Sequence, residues 1–287
     1  MNTKMRQLAL LLFFSVMVLS CLAPVIASAE IRFAILPRLG IVDLFTMFKP
    51  LEEYLTAEAG EKVSILVPKD FAAFKEAVKA GEATLGFANP VIYVELRKDL
   101  DIEPLALAEE RKGGAKFRGI IIAKKDSGIN KIQDLKGKKL VFVDKDSAAG
   151  YIFQVMLLSK AGMDIKKDVT LLPFAKKHDN VTIAVSNGTA DAGGIREDDF
   201  EKMKYKVNLS ELKIVAYTDY FPNWPVFAGP KLQKDTAKKI KAALLKLREN
   251  TPEAEKVLGG AQLKGFTTVH DKDYDELRKA AKLAGAL

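Results

Sequence analysis

The chain has 287 residues, 48% of them hydrophobic and 29% charged, with a formal net charge of +8. That mix excludes a disordered chain and allows one large or two medium cores. Basic residues interleave with acids, as in KDFAAFKEAVKAGE and REDDFEKMKYK, which describes a solvated face and argues against nucleic-acid binding.

Lys4 and Arg6 precede an apolar run from Leu8 to Leu19, and Ala27-Ser28-Ala29 supplies a small-residue cleavage pattern. Residues 1–29 therefore read as an export leader, whose two cations leave a formal +6 on the mature chain. A lipoprotein reading stays open, because Val18-Leu19-Ser20-Cys21 loosely resembles a lipidation box that would anchor the chain through Cys21. Cys21 is the one cysteine, so an exported chain carries no internal disulfide and depends on its core. No later stretch approaches the roughly 20 apolar residues needed to cross a bilayer.

Beyond the leader, apolar β-branched runs alternate with helical patterns: IRFAIL then LFTMFKPLEEYLTAEAG, VSILVP then AAFKEAVKAG, TLGFAN then PVIYVELRKD, and IEPLALAEE. Alternation of this kind predicts crossover units and a largely parallel sheet. RKGGAK interrupts it with two glycines, and a second series follows through FRGIIIAKK, KKLVFVD, VTLLPF and TADAGGI to ELKIVAYT. DYFPNWP is a second interruption, after which come PVFAG, three helical stretches and the extended QLKGFTTV. The predicted architecture is α/β in two domains. Residues 30–116 and 219–287 form a discontinuous first domain, and 117–218 are inserted as the second. Two hinge crossings join them, and a cleft between them is lined by loops at strand carboxyl ends.

Those loops hold the candidate site residues. Ser147 precedes a helix beginning near Ala148, and the small Ala148, Ala149 and Gly150 would let an anion approach the first backbone N–H groups. The same spacing also describes an ordinary capped helix, and Asp144 and Asp146 oppose an anion unless they point away. His178 and Asp179 open a further helix, where a neutral imidazole oriented by Asp179 would donate to a ligand oxygen. Alternatively Asp179 is a cap and His178 a surface residue. Asn89 and Tyr93 flank the start of PVIYVELRKD, with Tyr93 either in the cleft or in the core. Arg38 ends the first strand as an oxyanion fork or a solvated cation. Tyr217, Tyr220, Phe221, Trp224 and Phe227 crowd the second crossing as a pocket wall or as hinge packing. The two histidines, His178 and His270, lie far apart, and no nucleophile elbow, phosphate loop or dinucleotide fingerprint occurs. Nothing argues for an enzyme, a metal site or a cofactor.

Taken together, FKPLEEYL, NPVIYVEL, SGINKIQDLKGKKLVFVDKDSAAGY, HDNVTIAVSNGTADAGGIREDD and FPNWPVFAG resemble the periplasmic substrate-binding proteins of phosphate, phosphite and phosphonate ABC transporters. The resemblance implies a type II periplasmic binding-protein fold, a periplasmic location, a small oxyanion ligand and delivery to a membrane permease. It also implies that a Ser-Thr-Ser-Gly-like turn grips the oxyanion, and here that turn reads Ser147-Ala148-Ala149-Gly150, without two hydroxyls. Tyr93 and His178 match ligand positions of the family, and Asp198, or neighbouring Glu197, stands where amine-binding members have an acid. Trp224 stands in Pro222-Asn223-Trp224-Pro225 where those members have a second acid, which disfavours an ammonium-bearing ligand and favours a flatter or more apolar one. The altered turn also motivates an alternative, a ligand-sensing periplasmic protein that signals to a membrane receptor such as a sensor kinase.

Overall fold

The computed structural model describes residues 30–111, 113–285 and 287. The expected leader and Cys21 lie outside the described residues. Strands β1 (Ile31–Ile35), β2 (Val63–Leu66), β3 (Leu85–Phe87) and β4 (Glu103–Glu110) are separated by helices α1 (Ile41–Ala59), α2 (Phe71–Lys79) and α3 (Pro90–Asp99). The short β5 (Lys116–Phe117) leads into β6 (Gly119–Lys124), β7 (Lys139–Val141), α4 (Phe153–Lys160), β8 (Thr170–Leu171), α5 (His178–Ser186), β9 (Ala192–Arg196), α6 (Glu197–Phe200) and β10 (Leu212–Tyr217). The chain ends through β11 (Phe221–Pro222), β12 (Pro225–Ala228), α7 (Lys234–Lys246), α8 (Pro252–Leu258), β13 (Leu263–Thr267) and α9 (Asp275–Leu283).

These strands make a six-stranded sheet in the order β13-β4-β12-β3-β1-β2 and a five-stranded sheet in the order β10-β6-β9-β7-β8. The first draws on both ends of the chain and the second on its middle. The expectation of a largely parallel sheet needs correction. Pairs β1–β2, β1–β3, β7–β8 and β7–β9 are parallel, whereas every pair made by β12, β13, β6 or β10 is antiparallel. Strands β6 and β12 follow the two passages between the sheets. Each runs against strands that head toward the opposite sheet, so each pairs antiparallel with them.

The two passages run side by side. β5 pairs antiparallel with β11, Asn223 N–H donates to Ala115 O at 2.9 Å, and Thr218 N–H donates to Gly119 O at 3.0 Å. Phe153 stacks on Phe221 at 4.2 Å and packs against Phe117 at 5.2 Å, so aromatic residues cover this ribbon.

Helix α4 is preceded by a π-helical turn, Ala148–Ile152, in which Ile152 N–H reaches back five residues to Ser147 O at 3.0 Å. Such wide turns recur at functional sites. Gln154, fully buried, pins it: its Nε2 donates to the carbonyls of Ala149 at 2.7 Å, Ile120 at 3.1 Å and Ile195 at 3.3 Å. Gly119 makes room, since a Cβ there would lie 2.4 Å from Gln154 Nε2. Gln154→Glu, equal in size, would turn oxygen toward three carbonyls. Urea denaturation of this variant should show a loss of at least about 3 kcal/mol, more than the roughly 2 kcal/mol expected of Gln154→Met.

Candidate functional site

The loops that follow the parallel strands converge on one cavity. Arg38 follows β1, Asn89 follows β3, Val143, Ser147, Ala148 and Ala149 follow β7, Lys176 and His178 follow β8, and Arg196 ends β9. Phe71, Phe117, Asp199 and Trp224 complete the lining. The cavity is small, about 20 Å³, room for roughly one or two waters.

Of the residues singled out from sequence, Arg38, Asn89, Ser147, Ala148, Ala149, His178 and Trp224 meet there, and four do not. Tyr93 is core: it is fully buried against Phe227 and Tyr274, and its hydroxyl donates to Asp271 Oδ1 at 2.6 Å. The fourth residue of α3, it turns its ring toward the sheet, so a helix-start tyrosine does not reach the cleft here. Gly150 lies behind the lining, where a Cβ would come within 2.5 Å of Val143. Asp179 does not orient His178, because it pairs instead with Lys206. Asp198 accepts from Arg196 Nε at 3.1 Å, and neighbouring Glu197 binds Arg118 at 2.6 and 2.7 Å. The acid that reaches the cavity is Asp199.

Two further assignments change in detail. Ser147 occupies the cap position without a side-chain cap bond, so the turn is held by Gln154 rather than by the serine. Asn89 is engaged at both ends of its amide: Oδ1 accepts from Val91 N and Ile92 N at 2.9 and 3.1 Å, while one Nδ2 hydrogen goes to Asp146 O at 3.2 Å across the cleft. It caps α3 and ties the two sides together.

The acids flanking the turn are turned away from it. Asp146, buried, takes Lys75 Nζ at 2.8 Å and Lys145 Nζ at 2.9 Å, and Lys75 also binds Glu95 at 2.8 Å. Burial pushes the Asp146 carboxyl up, but these two lysines outweigh it and hold the group below its ordinary value. Asp144 pairs with Lys176 at 3.1 Å. Both charges are thus matched before any ligand arrives.

Arg196, only 3% exposed, was not anticipated from sequence, although applying the strand-end rule to TADAGGIR would have found it. Its guanidinium pairs with Glu110 and Asp198 and lies 4.5 Å from the Phe117 ring. Its backbone N–H donates to His178 Nδ1 at 3.0 Å. That bond occupies the Nδ1 lone pair and places the neutral imidazole's proton on Nε2. Burial pushes His178 down to about 4, against the pull of Asp199, so the ring is neutral at pH 7. Asp199 is 3.9 Å from Nδ1 and is held by Lys202 at 2.9 Å. Arg38 has no ion-pair partner among the described residues, and its guanidinium stands 5.6 Å from the Trp224 ring. The cavity therefore presents a free guanidinium, a neutral imidazole N–H and the opening amides of the π turn.

A neutral buried histidine links stability to pH. Between the unfolded value near 6.5 and the folded value of about 4, the unfolded state binds a proton that the folded state refuses, so stability falls as pH drops through that window. Unfolding free energies from urea denaturation at pH 7.5 and 4.5 should differ by roughly 2–3 kcal/mol more in the natural chain than in His178→Asn, which lacks the titrating group.

Residues 33–274 match the family model described as "ABC transporter, phosphonate, periplasmic substrate-binding protein". The phosphate-import protein PhnD of Mycolicibacterium smegmatis is 27% identical over 276 residues, covering 89% of this chain and 86% of that protein. The tetrathionate sensor histidine kinase TtrS of Salmonella typhimurium is 24% identical over 232 residues, 75% of this chain but 38% of the kinase. In fold, the chain is similar to PhnD1 of Prochlorococcus marinus, solved with methylphosphonate, at a TM-score of 0.78 and 18% identity, covering 90% and 99% of the two chains. With two α/β sheets facing a common cleft and a family match across most of its length, the chain belongs to the periplasmic substrate-binding proteins of phosphonate-type ABC transporters.

Proposed function

We propose that the ligand is a small oxyanion of the phosphonate or phosphate type, gripped by the Arg38 guanidinium, the His178 Nε2–H and the amides of Ala148 and Ala149. The observation that carries this reading is the convergence of three unlike donors on one cavity whose neighbouring acids already have cationic partners. A free guanidinium favours an anion, a neutral imidazole supplies direction, and the π turn offers amides at the positive end of a helix dipole.

The cavity is too small for a tetrahedral oxyanion to enter as it stands. In this reading residues 30–116 with 219–287 form one lobe and 117–218 the other, and they part and close about the crossings at 111–117 and 218–225. Contacts to one ligand from both lobes supply the differential affinity that closure needs. The protein is a binding component rather than an enzyme, and its ligand passes to the permease of the transporter.

The likeness to TtrS supports a second reading, in which open and closed states are passed to a receptor of the sensor-kinase kind. Genes for a permease and an ATPase beside this one favour transport, and a kinase gene favours sensing. The anchoring of the chain through Cys21 belongs to the same set of open alternatives, and intact-mass analysis of membrane and soluble fractions decides it.

Thermal unfolding of residues 30–287 with phosphate, phosphite, alkylphosphonates, aminoalkyl phosphonates, sulfonates and carboxylates tests the ligand class. A ligand at about 100 times its dissociation constant adds roughly 2.7 kcal/mol, a rise of several degrees in a chain of this size. The expected result is a rise with a phosphorus oxyanion, and an Arg38→Ala variant whose affinity is roughly tenfold to a hundredfold weaker. No rise with any panel member would overturn the reading.

A further inference from the structure

We infer that the indole N–H of Trp224 is a hydrogen-bond donor to the bound ligand, and that it selects an oxyanion presenting an acceptor oxygen on that side over one carrying an ammonium group. The inference rests on the oxyanion reading of the same cleft and identifies a determinant of its specificity.

Trp224 lines the cavity together with Arg38 and His178 and is only 7% exposed. Its Nε1 is buried and has no acceptor among the described residues. A buried indole N–H ordinarily finds a partner, because leaving one unpaired forfeits its hydration without return. Rotation to another acceptor is opposed by the way the residue is held. Its backbone N–H donates to Asn223 Oδ1 at 2.9 Å, its carbonyl accepts from Ala108 N at 3.0 Å, and its ring packs against Phe87 at 5.3 Å. Asn223 is itself fully buried and bonded to Gly114 O at 3.2 Å, so the donor is mounted on the ribbon that joins the two sheets.

The surroundings specify what meets it. The Arg38 guanidinium stands 5.6 Å from the same ring, so an oxygen taken by Arg38 has the indole as its neighbour. An ammonium in that place would face a cation and a donor. Asp199, the acid on the lining, is engaged by Lys202 at 2.9 Å. Ala148 and Ala149 bring no hydroxyls to the turn, and one indole donor on the facing wall replaces part of what they lack.

The chain contains one tryptophan, so the indole gives a single cross-peak in a ¹⁵N–¹H correlation spectrum. Inorganic phosphate, methylphosphonate and 2-aminoethylphosphonate are the probes, titrated into residues 30–287. With phosphate or methylphosphonate the indole proton should move downfield, and its exchange with water should slow. The amides of Ala148 and Ala149 should shift in parallel. Trp224→Phe should weaken these two probes by roughly tenfold or more, while 2-aminoethylphosphonate should bind both proteins poorly. If the two amides shift but the indole peak stays, or if Trp224→Phe keeps its affinity within about twofold, the inference fails and the oxyanion reading stands. If no signal moves with any probe, both fail. Should Trp224→Phe not fold, judged by its ligand-free unfolding transition, the indole shift of the natural chain decides alone.

Discussion

A buried guanidinium, that of Arg196, organises the cleft. It sits at the carboxyl end of β9, takes Glu110 from the end of β4 and Asp198 from the first turn of α6, and lies against the Phe117 ring of the crossing ribbon. A buried pair of this kind adds little net stability, because desolvation cancels much of the attraction, but it is costly to break and so fixes one arrangement. That arrangement includes its own backbone N–H, which fills the lone pair of His178 Nδ1 and so determines where the imidazole carries its proton. Through one residue, the end of a strand of the first sheet, the crossing and the tautomer of a cavity-lining imidazole are linked.

The turn that opens α4 depends on a second balance of charge. An anion site at a helix start is defeated by nearby acids unless their charge is matched, and here both acids are matched in a way that also assembles the cleft. Asp146 binds Lys75 from α2, which binds Glu95 from α3, while Asn89 donates to the Asp146 carbonyl. The loop that carries the π turn is thereby docked against the helices that pack on the opposite sheet by the same pairs that neutralise its acid. Lys176, from the neighbouring loop of the same sheet, matches the charge of Asp144.

Much of this was legible in the sequence because periodicity and interruption are local signals. The alternation of strands and helices, the breaks at RKGGAK and DYFPNWP, and the gathering of strand-end loops all follow from patterns a few residues long. Strand direction was less legible, since β6 and β12 are antiparallel to their neighbours only because of where the passages between sheets deliver them. Side-chain direction was the least legible. Asp179, Asp198 and Asp199 look alike in the sequence, yet a residue or two of helical rotation sends one to Lys206, one to Arg196 and one to the cavity. Tyr93 was misplaced for the same reason, since its partner Asp271 lies 178 positions away. The family pattern pointed to Trp224 as a replaced acid, but whether its nitrogen had a partner depended on Phe87, Ala108 and Asn223, which no local pattern connects to it.

The substitutions in the turn and at the crossing make sense as one change rather than two. Hydroxyls rotate, so a site built from serine and threonine adapts its donors to whichever oxygens arrive. Replacing them by Ala148 and Ala149 leaves amides whose directions are fixed by the π turn, by the Gln154 amide behind it and by the close contact of Gly150 with Val143. An acid at the crossing accepts from an ammonium, whereas an indole in the same place only donates. The cleft keeps one rotatable hydroxyl, that of Ser147, beside amides, an imidazole N–H of fixed tautomer, a guanidinium and an indole, so most of its donors are fixed in direction. On the oxyanion reading proposed above, such a lining would favour a compact anion over a ligand that brings donors of its own.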